Sequence, residues 1–126
     1  MKKVKFKKGK YYIGDLCYAI DNESWGEFCI GMDYAHSYND KTGKYYHNDV
    51  EYWFNSTAWG DGLFHGSNRK LYPVDAGLIG ILPEELVETI GDGVLTEMDI
   101  EIFAEDFEVW YDKGVFYFGD IIIDTN

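Results

Sequence analysis

Residue types able to do chemistry in this chain gather near four Gly-Asp pairs: Gly14-Asp15, Gly60-Asp61, Gly91-Asp92 and Gly119-Asp120. The densest stretch, "AWGDGLFHG" over residues 58–66, adds Trp59 and His65 to Asp61. Asp61, His65 and Asp75, with Asp15 nearby in type, are oxygen and nitrogen donors suited to Mg²⁺, Mn²⁺ or Ca²⁺. A metal-dependent hydrolase or nuclease built on Asp61, His65 and Asp75 is therefore one reading. Against it, the chain has no Asp-x-Asp-x-Asp loop, no His-Glu-x-x-His helix and no closely spaced histidines. Cys17 would need His36, His47 or His65 as a base to act as a nucleophile. Its neighbours Leu16 and Tyr18 suggest a buried thiol, and Asp15 would disfavour the thiolate. Neither phosphate-loop glycine pattern is present. Turn chemistry accounts for the Gly-Asp pairs without catalysis, because glycine supplies positive φ and aspartate bonds its own turn. Catalytic residues are thus not assigned, and nothing in the sequence calls for a cofactor.

The elements that must position these residues are mostly strands. Short aromatic and β-branched runs alternate with Gly, Asp and Asn, the pattern of a strand-rich domain. "KVKF", "KYYIGD" and "LCYAI" read as strands, the last two broken at Gly14-Asp15. In "DNESWGEFCIGM", Trp25, Phe28, Cys29 and Met32 fall on one helical face, capped by Asp21 or Asn22. Residues 36–49 read as an exposed loop or irregular hairpin, and "DVEYWFNSTAW" returns to strand. "AWGDGLFHG" reads as a hairpin with Asp61-Gly62 as its turn. "LYPVDAGLIGILP" reads as a strand pair or bulged strand, with Gly77 and Gly80 inviting close backbone approach. Pro83 suits the first turn of a helix in "PEELVETI". "LTEMDIEIF" places Met98, Ile100 and Ile102 on one face and Asp99 and Glu101 on the other. "FEVWYDKGVFYFGDIIIDT" continues the alternation around a turn at 112–114, giving an antiparallel meander with a wet acidic face. The expectation is an α+β fold: a mainly antiparallel curved sheet or half-open barrel with one or two short helices. The 126 residues fit one domain, with residues 1–10 as a basic N-terminal strand or arm.

Charge narrows the partners. The net is −12. Lys2, Lys3, Lys5, Lys7, Lys8 and Lys10 supply six of the eleven basic residues, so residues 11–126 carry five basic and 23 acidic groups. Such a body lacks the cationic face that phosphate contact requires, so direct nucleic-acid binding is not expected. A protein partner with a basic surface fits instead. Acidity as simple solubility is the plainer account of the same charge. No apolar run approaches bilayer-spanning length, which excludes a membrane partner of that kind. The N-terminus shows no signal-peptide pattern, which points to the cytoplasm. Cys17 and Cys29 are the only cysteines, read as reduced thiols. The aromatics between Tyr45 and Trp59 cluster densely, and strand alternation should leave some exposed as anchors.

The order of "YYIGDLCYAI", "AWGDGLF" and "YPVDAGLIGI", with the closing "FGDIIIDT", resembles a group of small phage and prophage proteins. These carry a Gly-Asp-x-Cys-Tyr start, a Gly-Asp-Gly-x-Tyr/Phe hairpin and a Val-Asp-Ala-Gly-x-Ile-Gly strand. The likeness covers roughly residues 10–82, and Leu16 stands where the group has proline. It implies a virus-borne accessory protein of the bacterial host cytoplasm. The reading that follows is a non-enzymatic, stoichiometric inhibitor of a host defence or nucleic-acid-handling protein, anti-CRISPR-like and able to mimic nucleic acid. Its contact residues would be Tyr52, Trp53, Trp59, Phe64 and His65, with the acids Glu84, Glu85, Glu97, Asp99 and Glu101. The alternative is a nucleotide or small-molecule pocket formed by Trp59, Arg69 and Tyr72. The oligomeric state is not specified by the sequence.

Overall fold

Alternation and turn glycines set the local structure, and what covers each face sets the rest. The computed structural model describes residues 2–20, 38–39, 41–47, 49–90 and 100–126. Among these, twelve strands run β1 Val4–Phe6, β2 Gly9–Gly14, β3 Tyr38–Asn39, β4 Lys44–His47, β5 Val50–Ser56 and β6 Gly62–His65, then β7 Leu71–Val74, β8 Leu78–Pro83, β9 Ile100–Phe103, β10 Phe107–Asp112, β11 Val115–Phe118 and β12 Ile121–Asp124. One α-helix, α1 Glu84–Ile90, follows Pro83, and a 3-10 turn spans Leu16–Tyr18. "LCYAI" is therefore a helical turn and not a strand, because the Asp15 side chain caps it by accepting the Cys17 N–H. The helix expected around Trp25–Met32, and Cys29 and His36, lie outside the described residues.

Among the described residues all the strand pairings are antiparallel. One sheet has the order β1-β10-β11-β12, a second has β3-β4-β5-β8-β2-β9, and β6-β7 forms a separate ribbon. Among the described residues the sheets are not closed into a barrel. The expected meander is present: Lys113 and Gly114 take positive φ (48° and 86°) between β10 and β11, as a tight primed turn requires. The basic strip forms β1 and the start of β2, with Val4 and Phe6 buried.

Two apolar cores lie on opposite faces of the six-stranded sheet. One gathers Ile13, Trp53, Ile79 and Ile81 against Val109, Phe116, Phe118 and Ile123 of the four-stranded sheet, with Tyr72 and Val74 of the ribbon. The other gathers Tyr12, Leu16, Tyr52, Leu82, Leu86 and Val87 beneath the 3-10 turn and α1. A sheet covered on both faces buries successive residues of each strand, so "YYI", "YW" and "LIGIL" read as continuous apolar runs. At the centre of β8 a Cβ on Gly80 would stand 2.6 Å from the Trp53 carbonyl oxygen. Glycine there permits the close approach of β8 to β5 and to Leu16.

Candidate functional site

Asp15 is fully buried and its carboxylate is saturated by backbone donors. Oδ1 accepts the Cys17 N–H at 3.0 Å, and Oδ2 accepts the N–H groups of Asp75 and Ala76, each at 2.7 Å. It joins the end of β2 to the turn between β7 and β8. Burial, then the Asp15 carboxylate beside it, pushes the Cys17 thiol up to about 12. A thiol held protonated in this way is a poor nucleophile. Asp75 accepts the Tyr18 hydroxyl, and that hydrogen bond is the first cause holding the Tyr18 phenol up, to about 12.

The same β7–β8 turn is gripped from its other side by Thr57. The Thr57 N–H donates to the Gly77 carbonyl at 3.0 Å, and its hydroxyl donates to the Gly60 carbonyl. Next along the chain, the Ala58 N–H donates to Oγ1 of Thr125 at 2.9 Å, and Thr125 is itself buried. These bonds fix a loop whose tip, Trp59, is 80% exposed. The loop is not a hairpin turn. Strand β6 begins at Gly62 and pairs with β7, not with β5, so Asp61-Gly62 lies at a ribbon's entry and the ribbon turns at 66–70. Thr57's bonds to Gly60 and Gly77 direct the chain out of β5 into the ribbon rather than back along it.

The ribbon has two unlike faces. Phe64, Tyr72 and Val74 point to the core. On the opposite face Leu63 stands across from Pro73, and His65 across from Leu71. All four are exposed, Leu63 at 57% and Leu71 at 53%. Together they make a largely apolar ribbon face without a lysine, arginine or carboxylate of its own strands, and the exposed Trp59 lies three residues before β6. Leu63, Leu71 and Pro73 were missed from sequence. Their signal is the alternation of "GLFH" and "LYPV", which marks one buried face per strand but not what covers the other.

The other sequence-derived residues divide. Tyr52 and Trp53 are not surface anchors: they are buried at 2% and 6% on opposite faces of β5, because both faces of that sheet are covered. Phe64 is half-buried against the core. Glu84 and Glu85 open α1, with Glu85 exposed. Glu97 and Asp99 lie outside the described residues. Glu101 is not on a wet acidic face: it accepts Lys70 Nζ at 2.5 Å and Asn68 Nδ2 at 3.2 Å, while Ile102 beside it is 72% exposed. Pairing of β9 with β2 sets Glu101 against Tyr11, which reverses the expected facing. Among the described residues no three metal-ligating side chains come together, so Asp61, His65 and Asp75 do not form a cluster. Trp59, Arg69 and Tyr72 do not converge either. Tyr72 lines a cavity of about 170 Å³ between β2 and β7 with Tyr18, Lys70 and Glu101, and neither Trp59 nor Arg69 borders it.

No protein-family model, curated protein or solved structure matches this chain.

Proposed function

We propose that this protein is a phage-type accessory protein that acts by stoichiometric binding, docking on a basic surface of a host defence or nucleic-acid-handling protein and blocking it. The observation that carries the reading is the exposed, largely apolar ribbon face of Leu63, Leu71, Pro73 and His65, preceded by the pinned loop that carries Trp59 at 80% exposure. Exposed apolar patches with a tryptophan anchor are the usual centre of protein interfaces. Holding Trp59 in place before binding reduces the ordering cost on association. The exposed carboxylates Asp61 and Asp75 flank the face, and the net charge of −12 favours encounter with a cationic partner. The phage setting comes from the motif resemblance.

The test is capture from a bacterial lysate with wild type, Trp59→Ala and Leu63→Asp, at low and high salt, with host partners identified by mass spectrometry. The expected result is a basic host protein held by wild type, released by salt and lost from both variants. Capture unaffected by either substitution would remove the ribbon as the contact face. A second reading, a small-molecule binder, is favoured by the cavity formed by Tyr18, Lys70, Tyr72 and Glu101. Its Lys70–Glu101 pair offers one cation and one anion to a ligand. A melting-temperature shift with nucleotides or amino acids, abolished by Tyr72→Ala, would support it over docking.

A further inference from the structure

A second open groove, of about 630 Å³, lies on another part of the molecule between β9, the bend that follows it and the β10–β12 sheet. Among the described residues its lining includes five carboxylates and no lysine, arginine or histidine: Glu101 and Asp106, which are paired with Lys70 and Lys7, and Glu105, Glu108 and Asp120. Aromatic and apolar side chains also line it. The rings of Phe103 and Phe107 stack with centroids 3.7 Å apart, Trp110 borders it, and Ile102 stands 72% exposed at its side. An exposed isoleucine in an acidic setting gains nothing from water and is suited to a partner's apolar side chain.

The chain itself shows what these groups accept. Lys3 Nζ sits 4.6 Å over the Trp110 ring, and Lys7 Nζ lies 3.8 Å from Asp106, whose other oxygen takes the Lys8 N–H at 2.9 Å. Two groups bordering the groove are thus already cation acceptors, one by its π face and one by its charge. We infer that the groove receives an extended segment of a partner protein in which lysine or arginine alternates with an apolar residue. Alternation fits a groove whose lining mixes carboxylates with aromatic and apolar side chains. Among the described residues β9 is paired only with β2, so its outer edge is placed for strand addition by such a segment. The cations come from a partner rather than a second copy. Six of the chain's eleven basic residues lie in residues 2–10, where Val4 and Phe6 are buried and β1 is paired with β10. Those lysine side chains are exposed but the apolar residues between them, Val4 and Phe6, are buried, so a second copy could offer its cations and not the alternating apolar side chains.

The inference rests on the reading of the chain as a binder of basic partners, and adds a site separate from the ribbon. The experiment is fluorescence anisotropy at low salt with a labelled nine-residue peptide alternating Lys and Val, and a Glu–Val peptide as control. The Lys–Val peptide is expected to bind, and the Glu–Val peptide is not. Binding should weaken roughly tenfold when Glu105→Gln, Glu108→Gln and Asp120→Asn are combined, and should weaken again with Ile102→Ser. A charge-matched variant elsewhere, Asp49→Asn with Glu51→Gln and Glu88→Gln, should bind as wild type, as should Trp59→Ala. No binding of the Lys–Val peptide overturns the inference, and so does equal weakening by the two triple variants, which would mean diffuse attraction. A wild-type dimer that the groove variant dissociates, seen by light scattering, would make the occupant a second copy and also overturn it. Because Trp59→Ala is read separately, loss of the groove leaves the ribbon reading standing, and the reverse holds as well.

Discussion

Gly14-Asp15 and Gly60-Asp61 are the same dipeptide in the same chain, 46 positions apart, and they do opposite things. At Gly14-Asp15 the carboxylate has no exposed surface and holds three backbone N–H groups, two of them from residues 75 and 76. A Cβ on Gly14 would stand 2.7 Å from the Tyr12 hydroxyl, which itself donates to the Asp15 carbonyl. At Gly60-Asp61 the aspartate is exposed and a Cβ on Gly60 would meet nothing within 4 Å. Both nevertheless meet the same turn: Asp15 grips Asp75 and Ala76, while Gly77 lies against Gly60 and Asp61. One pair is a buried clamp and the other the open base of an exposed loop. Turn chemistry explains both dipeptides locally, and burial separates their consequences.

The largest test of this contrast is Asp15→Ala. It strands three partly buried donors and should cost roughly 3 kcal/mol or more, with Asp15→Asn between it and wild type, measured by denaturant unfolding. Next, Gly14→Ala forces a side chain against Tyr12 at φ +150° and should cost about 2–4 kcal/mol, whereas Gly60→Ala, strained only by φ +80°, should cost about 1 kcal/mol. Equal costs at 14 and 60 would break the comparison.

A smaller effect concerns pH. The Cys17 thiol is raised from 9.0, and the Tyr72 phenol from 10.0, to about 12, chiefly by burial; Tyr52 is raised by burial too. Unfolded, these groups release protons near 9 and 10; folded, they keep them to about 12. The unfolded chain therefore binds fewer protons in that window, and stability should fall as pH rises from about 9 to about 12. Thiolate absorbance should show Cys17 titrating earlier in Asp15→Asn and unchanged in Asp61→Asn. Least of all, Asp61→Ala should change stability by under about 0.5 kcal/mol, with an unchanged denaturation midpoint as the check.

Much of the fold was legible where one face of a strand is buried and the other wet. The β10–β12 meander follows from Val109, Phe116, Phe118 and Ile123 alternating with polar or half-exposed neighbours around Lys113-Gly114. Alternation lost its meaning at Tyr52-Trp53 and in "LIGIL", where a second layer covers the outer face. It misled at Glu101-Ile102, where Lys70 and Asn68 draw the carboxylate to the protected side. The loop was visible as unusual chemistry in "AWGDGLFHG", but its partners were not: Thr57 reaches Gly77, and Ala58 reaches Thr125. Hydrogen bonds spanning twenty to sixty-seven positions leave no periodic trace in sequence.

The sequence by itself determined the C-terminal antiparallel meander, its tight turn at Lys113-Gly114 and the charge of the body, because these depend on neighbours a few residues apart or on composition. Only the tertiary structure decided which Gly-Asp pair is a clamp, which aromatics are core, and which apolar side chains stay in water. Those outcomes depend on what another part of the chain lays over each face, and burial is a property of that contact rather than of the residue.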